Sequence, residues 1–186
     1  MNRVTLVGIS GSLRKASFNT ALLRAASELM PEGTTLAVHS IRDIPLYDGD
    51  VEAAEGLPAA VRSLKDAIAA SGGLLLASPE YNASIPGVLK NAIDWLSRPP
   101  ADIKRVFGDK PVALIGATPG PGGTRLAQTA WLPTFRLLGM RPWWGKSLYV
   151  GGASKVFDAE GKLTDEATRK QLKELVEGFV EFAARG

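Results

Sequence analysis

The stretch Gly8-Ile9-Ser10-Gly11-Ser12-Leu13-Arg14-Lys15-Ala16-Ser17-Phe18-Asn19-Thr20 constrains the chain more than any other. It follows a short apolar run, Val4 to Val7, and leads into an amphipathic run near Thr20. A β-branched run bounded by glycine reads as a buried parallel strand, and the spacing after it reads as a helix. Strand, then a small and hydroxylated loop, then helix is how α/β proteins build an anion site. The first N–H groups of the helix lack partners and carry the positive end of its dipole. Ser12, Ser17, Asn19 and Thr20 add neutral hydrogen bonds, and Arg14 adds a charged fork suited to phosphate.

The same beat recurs. Val4–Ile9, Thr34–His39, Leu74–Ala77, Pro111–Ala117 and Met140–Val150 read as strands. Ala21–Met30, Leu57–Ala70, Gly87–Leu96, Thr124–Leu138 and Thr164–Ala184 read as helices, with Ser40–Gly56 irregular between. Five β-α repeats predict a parallel sheet with helices on both faces. At 186 residues the chain suits a single domain spanning 1–186. A nicotinamide-binding Rossmann domain requires a third glycine where this loop has Leu13. The longer, hydroxyl-rich loop instead predicts a flavodoxin-like doubly wound, five-stranded sheet of order 2-1-3-4-5, wrapping one terminal phosphate. That order sets the loops after strands one and three side by side, so Ser78–Pro86 becomes the second half of a mononucleotide site. Its two prolines stiffen it, leaving the backbone amides of Glu80 to Ser84 and the Asn82 side chain to meet the edge of a flat heterocycle. The loop Thr118-Pro119-Gly120-Pro121-Gly122-Gly123 reaches the same sheet edge, and its glycines permit close backbone approach.

Composition removes other classes. The charge is +3 with scattered Lys and Arg, unlike a nucleic-acid reader, and no apolar run is long enough for a membrane span. With no cysteine and one histidine, a disulfide framework, a thiolate metal site and a His-dependent triad are all disfavoured, and no metal is expected. The N-terminal residues lack a signal-peptide pattern, so a cytoplasmic location is expected.

At these residues the chain resembles the NAD(P)H-dependent FMN reductases, in particular the chromate and quinone reductase branch. Gly11 to Asn19 is similar to that branch's phosphate loop. Pro79-Glu80-Tyr81-Asn82, Ser84-Ile85-Pro86-Gly87 and Leu89 to Arg98 are similar to its flavin-ring loop and following helix. The resemblance implies non-covalent FMN, with Ser12, Arg14, Ser17, Phe18 and Asn19 at the phosphate, where the position of Thr20 makes it a further candidate. Pro79, Glu80, Tyr81 and Asn82 then follow the ring; Ser84, and Thr118, Gly120 and Gly123 of the third loop, are candidate contacts by position, the proline-rich third loop being where the chain departs from the family's serine-containing stretch. It implies NADPH or NADH as donor, and a quinone, free flavin, azo compound or chromate-like oxyanion as small-molecule acceptor in ping-pong order. A homodimer or homotetramer is also implied. No catalytic side chain is required, because the cofactor carries the redox chemistry. Two rivals share the fold: a flavodoxin-type electron carrier without turnover, which is usually acidic, and a flavin-free binding module.

Overall fold

The computed structural model describes residues 4–185. Its sheet contains β1 (Val4–Ser10), β2 (Thr34–His39), β3 (Gly73–Ala77) and β4 (Pro111–Ala117), followed by two short pieces, β5 (Arg141–Pro142) and β6 (Leu148–Val150). The order is β2-β1-β3-β4-β5, with β6 also on β4, and every pairing is parallel. The helices are α1 (Phe18–Glu28), α2 (Gly49–Glu55), α3 (Ala59–Ala70), α4 (Gly87–Leu96), α5 (Ile103–Phe107), α6 (Arg125–Ala130), α7 (Leu132–Leu138) and α8 (Glu166–Ala184).

Side chains alternate across the pleat, and each face of the sheet gathers its own core. Leu6, Leu75, Ala113 and Ile115 pack under α1 and α8 with Leu22, Leu172 and Phe179. Val7, Ile9, Leu74, Leu76 and Leu114 pack under α3, α4, α5 and α7 with Leu64, Leu89, Phe107 and Phe135. Covered on both faces, β3 and β4 are buried throughout, which is why they read as unbroken apolar runs.

Three expectations are corrected. The expected fifth strand, Met140–Val150, is interrupted. Trp143 donates to the Val112 carbonyl at 2.8 Å, but the chain leaves the ladder before returning at Leu148. Pro142 lacks an N–H, and the Trp143 ring tilts onto Phe179 at 5.9 Å, pulling the segment toward α8. The expected Thr124–Leu138 helix divides at Trp131, where Pro133 falls in the first turn of α7. The supposedly irregular Ser40–Gly56 contains α2, whose apolar positions are too few to show periodicity; Asp48 caps it by accepting the Asp50 N–H at 2.9 Å.

One charge is deeply buried. Lys65, 1% exposed, donates to the Arg98 carbonyl and lies 2.8 Å from Asp102 Oδ2. Hydrogen bonds from Lys65 and then Arg105 hold the Asp102 carboxyl below its usual range. The pair ties α3 to the segment before α5, where an unpartnered lysine would be costly.

Candidate active site

Strands β1, β3 and β4 end together, and their exit loops meet in one cleft. Its walls are Ser12, Arg14, Ser17, Phe18 and Asn19 from the first loop, Pro79, Glu80 and Tyr81 from the second, and Ala117, Thr118 and Pro119 from the third. Gly11 is the hinge of this meeting: its N–H donates to the Ala77 carbonyl at 2.8 Å, tying the first loop to β3. A β-carbon there would stand 2.9 Å from both Pro79 Cδ and Leu89 Cδ2, so only glycine lets the first two loops come this close.

At the head of α1, Ser17 is the cap and its Oγ accepts the Thr20 N–H at 3.2 Å. The N–H groups of Phe18 and Asn19 have no acceptor among the described residues. They face the end of a helix where the dipole favours an anion. The Arg14 guanidinium is exposed and forms no ion pair among the described residues. Unpaired N–H groups and one free guanidinium suit an organic phosphate.

The second loop is a tight turn. Tyr81 and Ser84 exchange backbone hydrogen bonds at 3.1 and 3.0 Å, with Asn82 at φ 51° and Ala83 at φ 60° between them. Both central residues are left-handed, as a two-residue hairpin turn requires. Asparagine tolerates that conformation, whereas Ala83 carries a strain of about 1 kcal/mol. The amides of Tyr81 and Ser84 are therefore spent inside the turn. Those of Glu80, Asn82 and Ala83 have no acceptor among the described residues and stay available to a ligand.

Several expected contacts have other duties. The Asn19 side chain donates to the Ala117 carbonyl at 2.9 Å and accepts the Ala117 N–H at 3.0 Å, clamping α1 to the end of β4. Only its backbone N–H remains free. The Phe18 ring stacks on Phe157 at 5.7 Å, leaving it likewise a backbone donor. Thr20 turns away from the cleft and donates to Ser10 Oγ at 2.9 Å. Asn82 and Ser84 lie outside the cleft walls, as do Gly120 and Gly123. The Gly120 carbonyl accepts the Gly152 N–H at 2.9 Å. Gly123, at φ 67°, would drive a β-carbon within 2.7 Å of Tyr149 Cβ.

The Glu80 carboxylate is already engaged within the chain. Oε2 accepts the N–H groups of Leu126 and Ala127 at 2.9 and 3.1 Å, capping α6 from another loop, while Arg125 stacks on the Tyr149 ring at 5.3 Å. The cap locks the second loop to the third. Glu80→Ala is expected to cost about 1 kcal/mol by urea denaturation, with Glu80→Gln losing less because its amide oxygen still accepts. An unchanged midpoint for Glu80→Ala would remove this lock from the site.

Tyr47 is fastened rather than free. Its N–H donates to Asn91 Oδ1 at 2.8 Å, its hydroxyl to Glu52 Oε2 at 3.0 Å, and its ring meets Trp95 edge-on. Arg98 binds the same Glu52 oxygen at 2.8 Å, and these two hydrogen bonds, Arg98 first, hold the Glu52 carboxyl low. The hydrogen bond to Glu52 raises the Tyr47 phenol. Among the described residues no group of His, Asp or Glu could hold a metal ion, and no helix is long and apolar enough to cross a membrane.

The comparisons agree with this geometry. Residues 4–155 match the family model described as NADPH-dependent FMN reductase. An NAD(P)H-dependent FMN reductase of Pseudomonas aeruginosa is 41% identical over 95% of this chain and 93% of its own length. A quinone reductase of Escherichia coli K12 is 37% identical over 98% and 97%. Among solved structures, the flavoenzyme NAD(P)H:(acceptor) oxidoreductase FerB of Paracoccus denitrificans superimposes with a TM-score of 0.86 at 35% identity, covering 98% of both chains. With a flavodoxin-like sheet, three loops converging on one cleft and this near-complete coverage, the chain belongs to the NADPH-dependent FMN reductase family.

Proposed function

We propose that this protein is an NAD(P)H-dependent FMN oxidoreductase that passes reducing equivalents to quinones and related small-molecule acceptors. The observation that carries the reading is the convergence of unpaired N–H groups and Arg14 in the cleft above β1, β3 and β4. Ser12, Arg14, Ser17 and the N–H groups of Phe18 and Asn19 hold the FMN phosphate. Pro79 presents a rigid apolar wall and the Glu80 amide orients the ring from within the cleft, with Thr118 opposite; the free amides of Asn82 and Ala83 stand just beyond the wall, at the edge of the ring. When bound, FMN supplies hydride acceptance from nicotinamide and electron delivery to the acceptor. The chain's own residues bind and align the reactants, and the cleft wall contains no histidine and only one carboxylate, which is occupied as a helix cap.

Donor and acceptor use one flavin face in turn, so double-reciprocal plots are expected to be parallel. Exposed Leu132, Leu137 and Trp144 offer an apolar face for a homodimer or homotetramer. The deciding experiment is a visible spectrum of the purified protein followed by anaerobic titration with NADPH and NADH. A flavin band bleached by either donor supports the reading. A colourless protein that takes up no added FMN overturns it, and a flavin band that neither donor bleaches makes the chain an electron carrier.

A further inference from the structure

Across the Ser10–Ser17 loop from the cleft lies a second cavity of about 410 Å³. It is walled by the end of β2, the turn after it, and the face of α1 on which Thr20 and Arg24 stand one turn apart. Arg14, Lys15, Arg24 and Arg42 line it together with His39 and Ser40, and no Asp or Glu does. None of the four cations has a carboxylate partner among the described residues. Arg42 alone is tethered, through one guanidinium nitrogen, to the Leu13 carbonyl. Four like charges around one concavity repel one another, and a bound anion relieves that repulsion.

The two cavities share Ser12 and Arg14, so the second lies directly beside the cleft, on the other side of the same loop. We propose that the second cavity receives the 2′-phosphate of NADPH, making Arg24 and Arg42 the residues that favour NADPH over NADH. This rests on the reading of the neighbouring cleft as the flavin site. A phosphomonoester carries nearly two negative charges and three acceptor oxygens, which guanidinium forks match bidentately. NADH offers only a hydroxyl at that position.

The test is calorimetric titration of the FMN-loaded protein with adenosine 2′,5′-bisphosphate, 5′-AMP and inorganic phosphate in turn. The bisphosphate is expected to bind at least about tenfold more tightly than 5′-AMP, the scale of one charge-assisted contact. Arg24→Ala is expected to erase that difference, and Arg24→Lys to restore part of it. In turnover, Arg24→Ala is expected to lower kcat/KM for NADPH by about tenfold or more and to leave that for NADH within about twofold. Equal binding of bisphosphate and 5′-AMP overturns the proposal, as does inorganic phosphate binding as tightly as the bisphosphate. Loss of FMN affinity in Arg24→Ala also overturns it, by assigning the cavity to the flavin phosphate. Flavin absorbance is read separately: no flavin band refutes the cleft, whereas a normal band without 2′-phosphate discrimination refutes only this cavity.

Discussion

Gly116→Ala is expected to lower the thermal midpoint by about 6–12 °C and to weaken FMN retention. Gly116 sits in β4, and a β-carbon there would stand 2.0 Å from Thr124 Oγ1 and 2.5 Å from the Ser78 carbonyl oxygen. Neither neighbour can yield cheaply. Thr124 is wholly buried and its hydroxyl accepts from Gln128 Nε2 at 3.0 Å; Ser78 is backbone at the exit of β3. Overpacking of this kind reaches about 3 kcal/mol, and in a chain of this size each kcal/mol moves the midpoint by about 2–4 °C. The displaced groups carry the second and third loops, so cleft geometry suffers along with stability. Gly122→Ala is the control, because nothing lies within 4 Å of its β-carbon, and it is expected to change stability by less than about 0.5 kcal/mol. A Gly116→Ala protein that melts with the wild type would show that the third loop is not pinned against β4.

Arg14→Ala is the functional counterpart, expected to raise the FMN dissociation constant by about 10–100-fold with little change in the melting of the flavin-free protein. The two effects separate because Arg14 forms no ion pair among the described residues, so its removal exposes no buried partner there. A charged hydrogen bond to phosphate contributes about 1.5–3 kcal/mol. Arg14→Lys is expected to recover part of the affinity, since a point charge replaces the fork. Quenching of flavin fluorescence on titration measures both. Unchanged affinity in Arg14→Ala would move the phosphate out of the cleft.

Legibility followed the range of the interaction concerned. The strands β1 to β4 and the long helices α1, α3, α4 and α8 were readable because each has a strong local period or an unbroken apolar run. The interruption between β5 and β6 was hidden, since it depends on Trp143 meeting Phe179 more than thirty residues later. Within the cleft, Ser12, Arg14 and Ser17 could be named from position after β1, because a strand followed by such a loop and a helix leaves donors free in only one place. The partners of Asn19, Glu80 and Phe18 could not be named, because Ala117, Leu126 and Phe157 are brought to them only by the closed sheet. The basic cavity was invisible: Lys15, Arg24 and Arg42 read as scattered surface charge until α1 and the end of β2 gather them beside Arg14.

What the amino-acid order determined by itself was the β-α beat, the sheet order, the loop that ends at α1 and the family to which these belong. The beat and the loop rest on periodicity, glycine placement and capping, which act over a few residues; the family rests on the resemblance of the Gly11–Asn19 and Pro79–Arg98 motifs. Tertiary structure alone decided which donors remain unspent. A polar side chain such as that of Asn19 or Glu80 is recruited by whichever buried backbone group lacks a partner. That need arises only when distant segments have packed and water has been excluded from between them.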